Sequence, residues 1–173
     1  MYFFTSDQHF SHKNIIKYSN RPFSSVEEMD SEIIRRHNEV VSDADVVVHA
    51  GDFSMIKDTK LVYKNYISKL KGTNIFLKGS HDYWLQKGIQ IWEKRIDGIY
   101  VVVCHYAMRV WPKSHYGAYH LYGHSHNRLG SYGKSFDVGV DGNNFYPYSF
   151  EDVKNKMNTL PDNFNLVNKN GEA

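Results

Sequence analysis

Five short apolar runs in this chain each break off into a turn that carries histidine, aspartate or both. Tyr2-Phe3-Phe4-Thr5 leads to Asp7-Gln8-His9, Val46-Val47-Val48 to His49-Ala50-Gly51-Asp52, and Ile75-Phe76-Leu77 to Lys78-Gly79-Ser80-His81-Asp82. Further on, Val101-Val102-Val103 leads to Cys104-His105, and Leu121-Tyr122 to Gly123-His124-Ser125-His126. Runs this short, apolar throughout and rich in β-branched and aromatic residues, read as strands covered on both faces. Strands of that kind belong to parallel-rich sheets, in which ligands collect outside the carboxyl ends of the strands.

The intervening segments supply the helices such a sheet needs. Ser25-Val26-Glu27-Glu28 is a capping box opening a helix over residues 26–41, with Met29, Ile33 and Val40 inward and His37 on its surface. Residues 58–71 form a second helical pattern, with Leu61, Val62, Tyr66 and Leu70 inward and Gly72 as its stop. Asp97-Gly98, between residues 89–96 and 99–104, marks a tight hairpin, because both central positions of that turn need positive φ. Phe136-Asp137-Val138 is a further strand, and Ser149-Phe150-Glu151-Asp152 opens a last helix running to about Met157. The first half therefore alternates strand and helix, while the second is dominated by strands. The pattern predicts an α/β protein on the α+β border, with a parallel-rich sheet first and antiparallel additions later.

At 173 residues, the length predicts one domain over about residues 1–160, followed by a tail at 161–173 that begins in the turn residues Pro161-Asp162-Asn163. With 41% hydrophobic and 23% charged residues the chain is neither disordered nor a coiled coil. A net charge of +2 gives no overall attraction to nucleic acid or to a membrane, though it leaves room for a local basic patch. A single cysteine excludes a disulfide scaffold and fits a reducing compartment, so a cytoplasmic location is expected, with Cys104 a small buried apolar group. No apolar run approaches the ~20 residues of a membrane helix, and Met1–Ser6 is too short for a signal peptide. Oligomeric state has no signature here.

Ten histidines raise the question of metal. Taken singly, the motifs are ordinary: Asp-x-His is a common turn, Gly51-Asp52 a common loop exit, and His105 a natural strand-edge residue. Gly123-His124-Ser125-His126 is more specific, since imidazoles two apart on an extended segment recur less easily by accident. Taken together they deliver carboxylates and imidazoles without cysteine to one sheet edge, a donor set for borderline divalent ions such as Mn, Fe, Co, Ni or Zn. The set is too large for one tetrahedral ion, whereas two ions sharing a carboxylate would use all of it.

In this order the five motifs resemble the calcineurin-like metallophosphoesterase superfamily, over about residues 1–155. Its series runs Asp-x-His, Gly-Asp, Gly-Asn-His-Asp or Glu, a strand-end His, then Gly-His-x-His. Phe10–Ile16 and Arg21-Pro22-Phe23 look like its compact single-domain microbial or phage branch. The resemblance implies a four-layer sandwich of two mixed β-sheets flanked by helices. It implies two divalent transition-metal ions, Mn2+ first with Fe, Ni, Co or Zn as alternatives. One ion would be held by Asp7, His9, Asp52 and His126, and the other by Asp52, Ser80, His105 and His124, with Asp52 bridging. His81 would be the catalytic acid and Asp82 would orient it.

The implied activity is hydrolysis of phosphate esters, with a hydroxide held between the ions as nucleophile. The lack of an inserted cap domain favours a phosphodiesterase. Phosphate esters are the expected partner, with nucleotides and nucleic acid in range. His12 and Arg109, with Lys13, Lys113 and His115, are candidates to contact substrate, and the aromatics of Trp111–Tyr119 to stack on a base. The chain departs from the series once: the family asparagine is Ser80, whose hydroxyl sits one bond closer to the backbone and is the poorer metal donor. A weaker second site is expected, and Ser80 leaves a weakened or inactive scaffold or binding protein as the alternative.

Overall fold

A computed structural model of the protein describes residues 1–167. Three of the apolar runs build the parallel part of one sheet. β1 (Tyr2–Thr5) pairs in parallel with β2 (Val46–His49), Phe4 opposite Val48, and β2 with β3 (Thr73–Phe76), Val48 opposite Ile75. A second sheet follows from β4 (Ile91–Ile96), β5 (Ile99–Cys104), β6 (Tyr119–Tyr122) and β7 (Ser135–Asp137), in that spatial order. β4 and β5 form the predicted hairpin, with Asp97 at φ 48° and Gly98 at φ 82°, while β5–β6 and β6–β7 are parallel. The two-residue β8 (Tyr148–Ser149) returns antiparallel to β1 and completes the first sheet.

The helices are α1 (Lys13–Tyr18), α2 (Val26–Val40), α3 (Thr59–Asn65) and α4 (Phe150–Asn158). Because strand side chains alternate, each sheet offers one face to the other and one outward. Phe4, Val48, Val101, Val103, Leu121 and Phe136 fill the space between the sheets, with Phe150, Val153 and Met157 of α4 closing its side. On the far face of the first sheet, Met29, Ile33 and Val62 from α2 and α3 pack with Phe10, Phe53 and Phe145. Burying each such side chain is worth roughly 1.5–3 kcal/mol. The result is the expected α/β arrangement of two four-stranded mixed sheets flanked by helices. The fourth layer is irregular: Trp111 and Ala118 cover Val102, and Trp111 Nε1 donates to the Ala118 carbonyl at 2.9 Å. Trp111 is thus a core residue and cannot offer its face to a base.

Several local expectations are corrected. His37 is buried, not on the surface: it continues the Met29–Ile33 stripe at i+4 spacing, with Nε2 3.0 Å from the Lys71 carbonyl. Val40 is exposed, and its place is taken by Val41, which leaves the helix extended and packs on Phe3 and Val47. The Ser25 cap is only half of a box. Ser25 Oγ accepts the Glu28 N–H, but the Glu28 carboxylate reaches one residue further back, to Ser24 N at 2.8 Å. The second helix begins at its Asp58 cap and tightens into a 3₁₀ turn at Ile67–Lys69, leaving Leu61 exposed and Val62 and Tyr66 buried. Cys104 is half-buried. α1 and β8 had no readable signal, one being six residues without a side-chain cap and the other two residues long.

Part of the expected tail is held down. Asn163 is buried, and its Nδ2 donates to the Ser114 and Ala118 carbonyls at 2.8 and 3.1 Å. Residues 168–173 of that tail lie outside the described residues. Among the described residues, no helix is long and apolar enough to cross a membrane.

Candidate metal centre

The carboxyl ends of β1, β2, β5 and β6 bring six side chains together as two groups. Ligand atoms of Asp7, His9 and His126 all lie within 4.8 Å of one another, and so do those of Asp52, His105 and His124. The groups meet at one atom. Asp52 Oδ2 is 3.5 Å from His105 Nε2 and 3.7 Å from His9 Nε2, with His81 Nε2 at 4.0 Å. Ser80 Oγ donates to the same oxygen at 3.0 Å.

The backbone is bent hard to achieve this. Asp7, His9, Asp52, His124 and His126 all have φ between 48° and 66°, the left-handed region that costs an L-residue roughly 1–2 kcal/mol. Aspartate and histidine are among the non-glycine residues that tolerate it best. The turns also hold one another. His124 N donates to Asp7 Oδ2 at 2.9 Å, and His81 N donates to Asp52 Oδ1 at 2.8 Å. Approach this close excludes side chains: a Cβ on Gly79 would overlap the Asp52 carboxylate, and one on Gly123 would overlap Ser6 and Asp7. Glycine precedes the ligand-bearing turn in both motifs for that reason.

Asp82 has a different task from the one expected. It is buried, and its carboxylate accepts the backbone N–H groups of Asp52 (2.7 Å), Phe53 (2.9 Å), Ser54 (3.3 Å) and Gly79 (2.9 Å), and the Trp84 indole N–H (2.9 Å). With both oxygens so engaged it has no lone pair to orient His81. The His81 side chain is 40% exposed at the mouth of the centre, its ring 5.4 Å from that of His9.

A supporting layer escaped the sequence reading. Buried Arg21 donates Nε and Nη2 to Asp141 at 2.8 and 2.9 Å, and Nη2 and Nη1 to the carbonyls of Asp7 (2.7 Å) and Gln8 (2.8 Å). Asp141 in turn lies 2.8 Å from His126 Nδ1. Asp137 accepts from Ser125 Oγ and from Asn127 N at 3.0 Å, gripping the turn that carries both β6 histidines. Asp137 was legible as a carboxylate inside an apolar strand. Arg21 and Asp141 carry no local signal.

Charge explains why these contacts matter. Burial pushes the Asp7 carboxyl up to about 7, although His126 and His105 pull it down. Burial also acts to raise Asp52, but the nearby His105 imidazole, with the His81 N–H and the charge of His9, prevails and holds it well below the usual carboxylate range. Burial drives His9 down to about 3 despite the nearby Asp52. For His105 and His126 burial lowers the pKa, and the carboxylates of Asp52 and Asp141 more than reverse it.

The donor set fits divalent cations. His9 Nε2 and His105 Nε2, one from each group, are buried without a hydrogen-bond partner among the described residues. Their carboxylate neighbours, at 3.5–3.9 Å, are too far for good hydrogen bonds. That is about the separation of two ligands bound to one ion at ~2.1 Å each. In His105 and His126 Nδ1 is engaged, by the Ala50 carbonyl at 2.9 Å and by Asp141, which leaves Nε2 as the nitrogen each has to offer an ion. An outer partner of this kind orients a metal-binding imidazole.

Of the remaining expected residues, His12 is at the rim, its Nδ1 3.1 Å from His9 Nδ1. Arg109 stands apart, its guanidinium 4.1 Å above the Tyr132 ring in a groove shared with Met108 and Leu129. Lys113 lies beside Gly98 and Tyr100 at the hairpin tip, the far end of β5 from His105 and about 17 Å along the strand. His115 lies in the 3₁₀ turn Ser114–Tyr116 that Lys113 precedes. His49 faces the helices, 2.8 Å from Asn74 Oδ1 through Nε2.

No family model matches the chain. Among solved structures it is similar to a protein of unknown function, AQ665, from Aquifex aeolicus, with a TM-score of 0.71 at 22% identity over 90% of this chain and 98% of that one, a likeness of fold. It also matches a conserved uncharacterized protein of Streptococcus pneumoniae, described as a predicted phosphoesterase. That match covers 80% of this chain and 70% of the other at 17% identity, and its TM-score of 0.40 is too low to carry an argument. The uncharacterized protein MJ1445 of Methanocaldococcus jannaschii is 35% identical over 157 residues, spanning 84% of this chain and 85% of its own. With that identity across most of both sequences, the chain belongs to the MJ1445 family.

Proposed function

We propose that the protein is a metal-dependent hydrolase of phosphate esters, a phosphodiesterase of the calcineurin-like metallophosphoesterase type with a dinuclear centre. The observation that carries this reading is the pair of three-residue groups joined at Asp52 Oδ2, each holding an unpartnered buried imidazole nitrogen. In it, Asp7, His9, Asp52 and His126 hold one divalent ion, and Asp52, His105, His124 and the Ser80 hydroxyl the other, manganese being the first candidate. Bound there, such ions neutralise phosphoryl oxygens and make water nucleophilic near neutral pH.

The chain's own groups do the rest. Asp52 serves both sites because its loop is pinned by Asp82. Asp141 and Arg21 fix His126 and the Asp7–Gln8 backbone. Hydrolysis forms one phosphorus–oxygen bond to water and breaks another, and the departing oxygen needs a proton. In this reading His81, exposed at the mouth with Nε2 4.0 Å from Asp52 Oδ2, holds that proton at Nε2 and releases it to the leaving group.

The test is hydrolysis of a bis-aryl phosphodiester by metal-free protein with added manganese, against a chelated control, together with metal analysis. Turnover that needs the cation and two ions per chain are expected. A folded protein that binds one ion, or stays inert with every transition metal, sinks the reading.

A further inference from the structure

We infer that this centre takes single-stranded nucleic acid, with nucleobases on either side of the bound phosphate stacking on Tyr18 and Tyr106. The inference rests on the phosphodiesterase reading and adds the class of substrate. Both rings are exposed, Tyr18 at 63% and Tyr106 at 48%. Each stands beyond a different ligand group. Tyr18 meets His12 edge-on with centroids 6.3 Å apart, and the His12 ring is 5.1 Å from that of His9. Tyr106 packs edge-on against His105 and His124, at 4.8 and 4.9 Å.

A phosphate held between the groups therefore has one phenol ring beyond each end of its site. A monoester has no second substituent to reach the second ring, whereas a nucleotide strand places a flat base on both sides of every internal phosphate. In a duplex those base faces are already stacked, so the geometry selects single strands. Charge agrees with the strand. Arg128 donates Nη2 to the Tyr18 backbone carbonyl at 2.6 Å, bringing a cation to that end of α1, and Lys17 precedes Tyr18 in the helix. The overall net charge is only +2, so the basic character here is local.

The experiment measures binding separately from turnover. A labelled short oligothymidylate with phosphorothioate linkages is titrated with protein, with manganese and with chelator, and anisotropy is followed. Tyr18→Ala and Tyr106→Ala should each weaken binding by ~5–100-fold, as loss of a base–aromatic stack does. Tyr18→Phe and Tyr106→Phe should stay close to the unaltered protein. An abasic strand of equal length, which lacks both stacks, should bind more weakly than either alanine variant does the intact strand. Binding that ignores both alanine substitutions, equal affinity for the abasic strand, or no saturable binding by the unaltered protein overturns the inference. The two readings fail separately. Ring-dependent binding without hydrolysis of the bis-aryl diester removes the hydrolase and keeps the subsite. Metal-dependent hydrolysis with silent rings does the reverse.

Discussion

The carboxylate of Asp82 accepts the backbone N–H of Asp52 at 2.7 Å, so the loop leaving β3 holds the loop leaving β2 from thirty residues away. Three further backbone N–H groups and the Trp84 indole converge on the same carboxylate. Buried amides left without a partner are costly. Asp82→Ala should therefore destabilise the fold by about 3–5 kcal/mol, measured by urea denaturation. Unchanged stability combined with a slower reaction would instead return Asp82 to the role of orienting His81.

His81→Ala should behave in the opposite way. Its side chain is substantially exposed and belongs to neither ligand group, so stability and metal content should hold. Turnover of esters with poor leaving groups should fall by ~10²–10⁴-fold, and activated aryl esters should suffer less. Loss of metal in this variant would make His81 a ligand.

Asp141→Asn keeps the shape of the contact to His126 Nδ1 and removes its charge. Outer carboxylates of this kind are worth ~10–100-fold in metal affinity. Calorimetric titration with manganese should show that loss at one site of two. An unchanged isotherm would confine Asp141 to pairing with Arg21.

Ser80→Asn lengthens the side chain that now donates to Asp52 Oδ2. Manganese should bind the second site more tightly, and turnover should rise. If affinity and rate both match the unaltered protein, position 80 is not a ligand position.

Asp30 supplies a test of pH dependence away from the centre. It accepts from the Tyr66 hydroxyl at 2.9 Å, and burial pushes its carboxyl up to about 6. The folded chain then holds this proton more tightly than the unfolded one, whose carboxyl keeps its ordinary value of 3.8. Between about pH 4 and 6 this group's contribution to stability falls as pH rises, by up to about 3 kcal/mol in all, and stays flat above. Asp30→Asn should lack that fall. Urea midpoints at pH 4 and pH 7 for both proteins check it, and a pH-independent difference between them would refute it.

How far the fold could be read from residues depended on how local the cause was. The Asp97-Gly98 hairpin, the Ser149–Asp152 cap and the buried runs of β1, β2 and β5 are dictated within a few positions, and all appear. The burial of His37 on the α2 stripe has no local cause, because it depends on the Lys71 carbonyl, 34 residues on. The six grouped side chains were legible because each follows a strand, and parallel strands end on one side. The work of Asp82 and Arg21 was not, since a carboxylate among distant amides and an arginine under two carbonyls look ordinary until the chain has folded around them.

The left-handed backbone at Asp7, His9, Asp52, His124 and His126 has a thermodynamic consequence. Glycine at any of these positions would relieve the torsional penalty, so each side chain has to offset that penalty through what it touches. For Asp7 and Asp52 part of the compensation is visible in the backbone N–H groups they accept across the turns.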